Sequence, residues 1–350
     1  MNIWGDRVDH AIISAAPEAM GARDAIDHST PVTFPDSPPL AGKPGLRRFR
    51  AIARFMCDYD LVLSYNWGAM DGVMAHRLFA RAMDLPPLIH HEDGFNADEA
   101  VSLKPARNLY RRVALQRADA LVVPSVRLES IARQVWKQPA SKVHLIRNGI
   151  DVARYGDAPA LDVMPALRRS PGKLVIGTLA GLRPVKNLSR LVRAVAPHRD
   201  RLQLVIVGEG PERDAIVAQA AACGMEDLCM AGFMAEPWRF VGLFDIFALS
   251  SDSEQFPISL VEAMAAGVPV ASMDVGDVAN MVAPENRLFI VPDEAGLSDA
   301  IGMLARDEAL RARLGAANRA RAARDFTEAA MVDAYARLYG QALAMPRLLL

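Results

Sequence analysis

Short apolar runs alternate with amphipathic stretches along nearly the whole chain. Leu61–Ser64, Leu88–His90, Ala120–Val123, Leu174–Thr178, Gln203–Val207, Ile246–Leu249 and Val268–Ser272 include flat apolar runs as well as alternating ones. Flat runs predict parallel strands covered on both faces. Further strands are expected at Ala11–Ser14, Lys142–Ile146 and Leu288–Val291. Between them, helical periodicity predicts helices over Arg47–Cys57, Asp71–Met83, Pro105–Arg117, Val126–Val135, Leu188–Ala196, Pro211–Cys223, Ser259–Ala266 and Leu297–Arg306. This strand–helix order argues for an α/β fold of doubly wound sheets.

A chain of 350 residues is long enough for two domains. The break is expected after Asn148-Gly149-Ile150-Asp151. Asp157–Lys173 carries Pro159, Pro165, Pro171 and Gly172 without a clean period, and reads as the inter-domain linker. The expected division is 1–160, 161–325 and a terminal helical segment 326–350 that packs back on the first domain. The tail from Asp307 to Leu343 is helical by composition. The first domain reads as short at its start, because no Gly-rich turn follows Ala11–Ser14 and His28–Gly45 is Pro-rich.

Hydrophobic residues make up 51% of the chain and charged residues 23%, as expected for full globular cores. The net charge of −1 supplies no field for nucleic acid. Cys57, Cys223 and Cys229 are odd in number and lack metal-ligand spacing, so they read as reduced thiols of a cytosolic protein. No apolar run approaches the roughly 20 residues of a membrane-spanning helix. Met1–Arg7 lacks the apolar core of a signal peptide. Arg47, Arg48, Arg50 and Arg54 fall on one predicted helix, and Arg107, Arg111 and Arg112 on another. Such clusters suit an anionic lipid surface, which makes a peripheral membrane face one expected partner; a solvated basic face accounts for them as well.

The chemistry concentrates in loops at strand ends. Ser250–Val270 reads as polar loop, helix start, apolar helix, stop and new strand, with seven residues between Glu254 and Glu262. A helix start offers free N–H groups and partial positive charge to phosphate or sugar oxygens. Two carboxylates beside it can accept from sugar and ribose hydroxyls. Gly177–Asn187 places Gly181, Arg183 and Lys186 after another strand, where two cations can neutralise a diphosphate. Gly208-Glu209-Gly210 either lets backbone approach a ligand or simply makes a tight turn. Leu88–Asn96 carries His90 and His91 at a strand's carboxyl end; hydrogen bonding to a sugar hydroxyl is the more modest reading, a polar loop the plain one. Tyr65, Asn66 and Trp67 combine rings with an amide, which suits the faces and hydroxyls of an acceptor-side sugar; a Trp packed at a loop accounts for them equally.

These residues resemble glycosyltransferase family 4, whose GT-B fold sets two Rossmann-like domains face to face. Asn148-Gly149-Ile150-Asp151, the Gly181–Lys186 loop, Val207–Pro211 and the Glu254–Glu262 spacing match the family's elements in order. The resemblance implies a retaining, metal-independent hexosyltransferase for polysaccharide or cell-envelope biosynthesis. It would need no cofactor, with a nucleotide diphosphate sugar as co-substrate and a glycan or lipid-linked saccharide as acceptor. Arg183 and Lys186 would bind the diphosphate, Glu262 the ribose and Glu254 the donor sugar. Backbone at Phe256, Pro257, Ile258, Ser259 and Leu260 would cradle sugar and phosphate, with Gly181 and Gly208 in adjoining turns and Gly232 and Phe233 near the base. His90 or His91 would face the transferred sugar. Family members open with a strand and a Gly-Gly turn; here the expectation is a first domain without them, or a start codon placed downstream of them. Gln255 stands where glycine would ease the loop, so the turn is expected to be tighter or held by the amide side chain. A catalytically weak nucleotide-sugar-binding protein is the alternative. An epimerase or phosphorylase lacks identifiable catalytic groups, and an NAD dehydrogenase lacks Gly-x-Gly-x-x-Gly after its first strand.

Overall fold

The structure is a computed structural model that describes residues 1–16, 20–43, 45–95, 99, 102–345 and 349. Asn96, at the end of the Leu88–Asn96 stretch, lies outside the described residues. The chain divides into two compact units, Met1–Ile146 with Val332–Leu350, and Arg147–Met331.

In the first unit β1 (His10–Ala11) pairs in parallel with β2 (Val32–Thr33) as a separate small sheet. The strand expected at Ala11–Ser14 is thus shorter and begins earlier. There follow α1 (Leu46–Met56), β3 (Val62–Tyr65), α2 (Met70–Met83), β4 (Leu88–His91), α3 (Pro105–Ala114), β5 (Ala120–Val123), α4 (Val126–Gln134) and β6 (Val143–Leu145). The last four strands pair in parallel in sequence order. Every residue of β4 and β5 is buried, as flat apolar strands covered on both faces require. Ile52, Val73, Leu88, Leu115, Leu121 and Trp136 anchor this core.

The second unit contains β7 (Leu174–Leu179), α5 (Leu188–Val195), β8 (Leu202–Val207), α6 (Arg213–Ala222), β9 (Leu228–Gly232), β10 (Ile246–Leu249), α7 (Ile258–Ala265), β11 (Val270–Met273), α8 (Val278–Met281), β12 (Ile290–Val291), α9 (Glu294–Arg306) and α10 (Glu308–Asp325). Its strands form one six-stranded parallel sheet of order β12-β11-β10-β7-β8-β9. The winding reverses between β7 and β10, where doubly wound sheets bind ligands beyond their carboxyl ends. Successive side chains serve opposite layers: Val205 and Val207 enter one core, Leu204 and Ile206 the other.

Asp157–Lys173 is not a linker. Met164 is 1% exposed, Arg169 donates to the Leu243 carbonyl at 2.8 Å, and Gln203 donates to the Arg168 carbonyl at 2.7 Å. Burying one methionine side chain contributes about 1.5–3 kcal/mol, one of several contacts that tie this proline-rich segment to the second unit. The helical tail breaks at Phe326-Thr327, where Phe326 is buried and Thr327 bridges to Ile150. The final helix α11 (Glu328–Ala342) begins in the second unit and continues into the first. No helix is long and apolar enough to cross a membrane among the described residues.

Candidate active site

The loops after β7 and β10 meet at the winding reversal. The Asp252 N–H donates to the Val185 carbonyl at 2.8 Å, and the Ser250 hydroxyl to the Lys186 carbonyl at 3.1 Å. Asn187, at a left-handed φ of 44°, caps α5 by accepting from the Arg190 N–H. Its amide also donates to Asp252 at 3.2 Å, and Arg190 pairs with Asp252 at 2.7 Å. These crossings set two loops as one rigid edge.

On that edge the Lys186 ammonium donates to Glu254 Oε1 at 2.5 Å, and the Ser251 hydroxyl donates to the same oxygen at 2.7 Å. Arg183 is exposed and forms no ion pair among the described residues. The α7 N-terminus follows: Pro257 supplies no side-chain cap, and the first turn carries no acidic residue. The N–H groups at Ile258 and Ser259 and the partial positive charge they represent are therefore unspent by side chains. A cation without a counter-ion, a cation on a carboxylate and an uncapped helix start together make an anion site with hydroxyl acceptors beside it.

Glu262 lies on the second turn of α7. Burial pushes its carboxyl above the ordinary glutamate range, and a hydrogen bond from the Tyr155 hydroxyl opposes that rise. Tyr155 is 4% exposed and sits four residues beyond Asp151. No sequence signal joins it to Glu262, because the contact spans more than a hundred residues. Gly276 was missed as well. A Cβ there, at φ +59°, would stand 2.4 Å from the Glu254 carbonyl oxygen, so glycine lets the loop after β11 lie on the Glu254-Gln255 backbone. The only signal available was a glycine shortly after a strand.

Gly208 resolves toward the turn. Its Cβ would stand 1.9 Å from the Ala180 carbonyl oxygen, so the close approach it permits is that of the neighbouring loop. Gly232 ends β9, and the exposed Phe233 donates its N–H to Glu209 at 3.5 Å. Gly181 lies beside the Arg183 guanidinium. Phe256, Pro257 and Leu260 are buried and shape the helix start from beneath.

In the first unit the expected contacts separate. His90 is fully buried, with Nδ1 2.9 Å from the Ser64 hydroxyl. His91 is 1% exposed and held at about 4 by burial, hence neutral at ordinary pH. Neither imidazole is offered to solvent, because β4 is covered on both faces. Trp67 carries the guanidinium groups of Arg107 and Arg111 at 5.0 and 4.9 Å from its ring centre. Arg111 itself, expected on a basic surface, is fully buried. It donates to Glu92 at 2.9 Å and to Glu99 at 3.4 Å, and also lies over Phe95 and Trp136. Tyr65 remains 50% exposed, and the Asn66 amide oxygen accepts from the Asp93 N–H at 2.8 Å.

Two α/β units, each built on a parallel sheet with flanking helices, fit a GT-B architecture. A profile described as "Glycosyl transferases group 1" matches residues 162–321, and one described as "Glycosyltransferase Family 4" matches residues 6–154. The chain belongs to the group 1, family 4 glycosyltransferases. It is 26% identical over 279 residues to a D-inositol 3-phosphate glycosyltransferase of Nocardia farcinica, covering 73% of this chain and 61% of that one. It is 25% identical over 318 residues to a GDP-mannose-dependent alpha-mannosyltransferase of Mycobacterium tuberculosis, covering 86% and 81%. The fold is similar to that of Anabaena HepE in complex with UDP, at a TM-score of 0.72 and 20% identity over 90% of this chain and 87% of that one.

Proposed function

We propose that the chain transfers a hexose from a nucleotide diphosphate sugar to a hydroxyl of a saccharide or lipid-linked acceptor, with retained anomeric configuration. The observation that carries this reading is the uncapped α7 start flanked by Arg183, the Lys186–Glu254 pair and Glu262. Arg183, Lys186 and the Ile258 and Ser259 N–H groups take the diphosphate. Their fixed positive charge does what a divalent cation does elsewhere, so the step needs no metal. Glu262 accepts from ribose hydroxyls. Glu254, once the diphosphate competes for Lys186, accepts from the donor sugar. Gly232 and Phe233 border the base.

Transfer then runs on one face of the sugar. The bond between the anomeric carbon and the diphosphate oxygen breaks, the acceptor oxygen bonds that carbon, and the acceptor proton passes to the departing phosphate oxygen. Arg183 and Lys186 stabilise the negative charge as it grows, which is where preorganised donors accelerate a reaction. The names of the relatives and of the UDP complex support a nucleoside diphosphate donor. The test is isothermal titration with UDP-, GDP- and ADP-glucose and GDP-mannose, on the native chain and on a Lys186→Ala, Glu262→Ala double variant. One donor should bind the native chain, and the double variant should lose it; equal affinity for both proteins refutes the reading.

A further inference from the structure

The helical layer of the first unit separates charge. β3, β4 and β5 pair in parallel in sequence order, so right-handed crossovers put α2 and α3 on the same side of the sheet. α1 packs beside α2. α1 carries four arginines, α2 two and α3 three, whereas the whole chain has a net charge of −1. The only acid on these three helices is Asp71. Arg48 of α1 and the Tyr110 hydroxyl of α3 both donate to it, so that carboxylate is consumed in tying the helices together. Arg107 and Arg111 pair with Glu99 at 3.0 and 3.4 Å, and Arg77 donates to Gln116 at 2.9 Å.

The other arginines stay at the surface. Arg47, Arg50 and Arg54 of α1, Arg81 of α2 and Arg112 of α3 are exposed and form no ion pair among the described residues. The three on α1 recur at helical spacing along one strip. Apolar side chains share the layer: Leu46, Leu78 and Leu109 are 71, 41 and 61% exposed. Each is followed within one turn by an exposed arginine, Arg50, Arg81 and Arg112 in that order. A merely solvated basic surface gives no reason for a leucine beside a cation on every helix. A bilayer surface gives one, because guanidinium groups take phosphate through paired donors while apolar side chains enter the acyl boundary.

We propose that the outer surface of α1, α2 and α3 docks the chain on an anionic phospholipid bilayer, the arginines holding headgroup phosphates and Leu46, Leu78 and Leu109 entering the interface. A nucleic acid matches the charge but offers the leucines no apolar layer. A second copy related by a two-fold axis brings arginine against arginine. The attraction is electrostatic first, so salt weakens it. It belongs to the first unit alone and holds whichever sugar the second unit takes.

The full-length protein is sedimented with vesicles of phosphatidylcholine alone and of phosphatidylcholine mixed with phosphatidylglycerol, at low and at high salt. It should bind the mixed vesicles at low salt, leave them at high salt and ignore pure phosphatidylcholine. The triple variant Arg47→Ala, Arg50→Ala, Arg54→Ala should weaken that binding about a hundredfold. The double variant Leu46→Ala, Leu109→Ala should weaken it roughly tenfold and leave binding to a DNA duplex, the control polyanion, unchanged. Both variants alter exposed side chains, so melting midpoints and nucleotide affinity should stay native. The proposal is overturned if the native chain leaves the mixed vesicles unbound at low salt, if it binds pure phosphatidylcholine equally well, or if either variant binds the mixed vesicles as the native chain does. Tighter binding to the DNA duplex than to the mixed vesicles overturns it too.

Discussion

The two units treat the charged groups at the carboxyl ends of their sheets in opposite ways. In the first, Arg111 is enclosed by Glu92, Glu99 and three aromatic rings, and both carboxylates are buried with it. In the second, Arg183 is exposed and forms no ion pair among the described residues, and the α7 start has no capping side chain. The Lys186–Glu254 pair lies between these extremes, with side chains 20% and 10% exposed. Charges that satisfy one another internally serve architecture. Charges left at a winding reversal are available to a ligand. A single arginine count cannot distinguish the two, but the partners can.

The strongest way to break this contrast is to remove the enclosed cation. Arg111→Met leaves Glu92 and Glu99 buried with less compensation. Losing one partner of a buried pair costs about 3–5 kcal/mol, so the first unit should unfold at markedly lower urea while nucleotide binding by the second survives. The triple variant Arg111→Met, Glu92→Gln, Glu99→Gln should recover part of the loss. Denaturation followed by first-unit tryptophan fluorescence checks both; an unchanged midpoint in the single variant would show that the network is dispensable.

Next comes the cation that is half committed. Lys186→Ala removes a charge-assisted contact to the diphosphate and frees Glu254 to repel it, so donor affinity should fall about a hundredfold, or some 2.7 kcal/mol. The melting midpoint should hardly move, because both side chains of the pair reach solvent. Arg183→Ala removes an exposed cation and should cost about tenfold. Calorimetric titration ranks the two. A larger effect for Arg183 would reverse the roles assigned here.

How much of this was legible in the sequence depends on the range of the interaction. Val205–Val207 and Ile246–Leu249 are flat apolar runs because both faces of their strands are covered, and that is a local signal. The Glu254–Glu262 spacing is local too, since one loop and one helix carry it. Arg111 looked like a surface cation because nothing in Arg107–Arg112 records that Glu92, Glu99 and Trp136 converge on it. Asp157–Lys173 has the proline content of a linker, but Met164 and Arg169 find partners far away in sequence. Tyr155 and Gly276 were invisible for the same reason: each acts on α7 through a contact that only the folded sheet creates.

The finest test concerns Glu262, which belongs to neither extreme: it is partly buried, yet pairs with a neutral hydroxyl. Its folded-state carboxyl is raised above its unfolded value by burial. The folded chain therefore holds that proton more tightly than the unfolded chain. Glu262 costs nothing below the ordinary glutamate range, and its cost grows as pH rises through the raised value and persists above it. Glu262→Gln should thus stabilise the ligand-free protein at neutral pH, by less than about 1 kcal/mol, and leave it unchanged in acid. Donor binding should show the reverse slope. The carboxylate is the better acceptor for ribose hydroxyls, so native affinity should weaken as pH falls through the raised value, while the glutamine variant binds several-fold more weakly at neutral pH and shows a smaller dependence. Melting curves and titrations from about pH 4 to about pH 8 measure both slopes. A glutamine variant less stable at neutral pH would mean that the Tyr155 bond outweighs burial, and would place Glu262 with Glu92 among the architectural carboxylates.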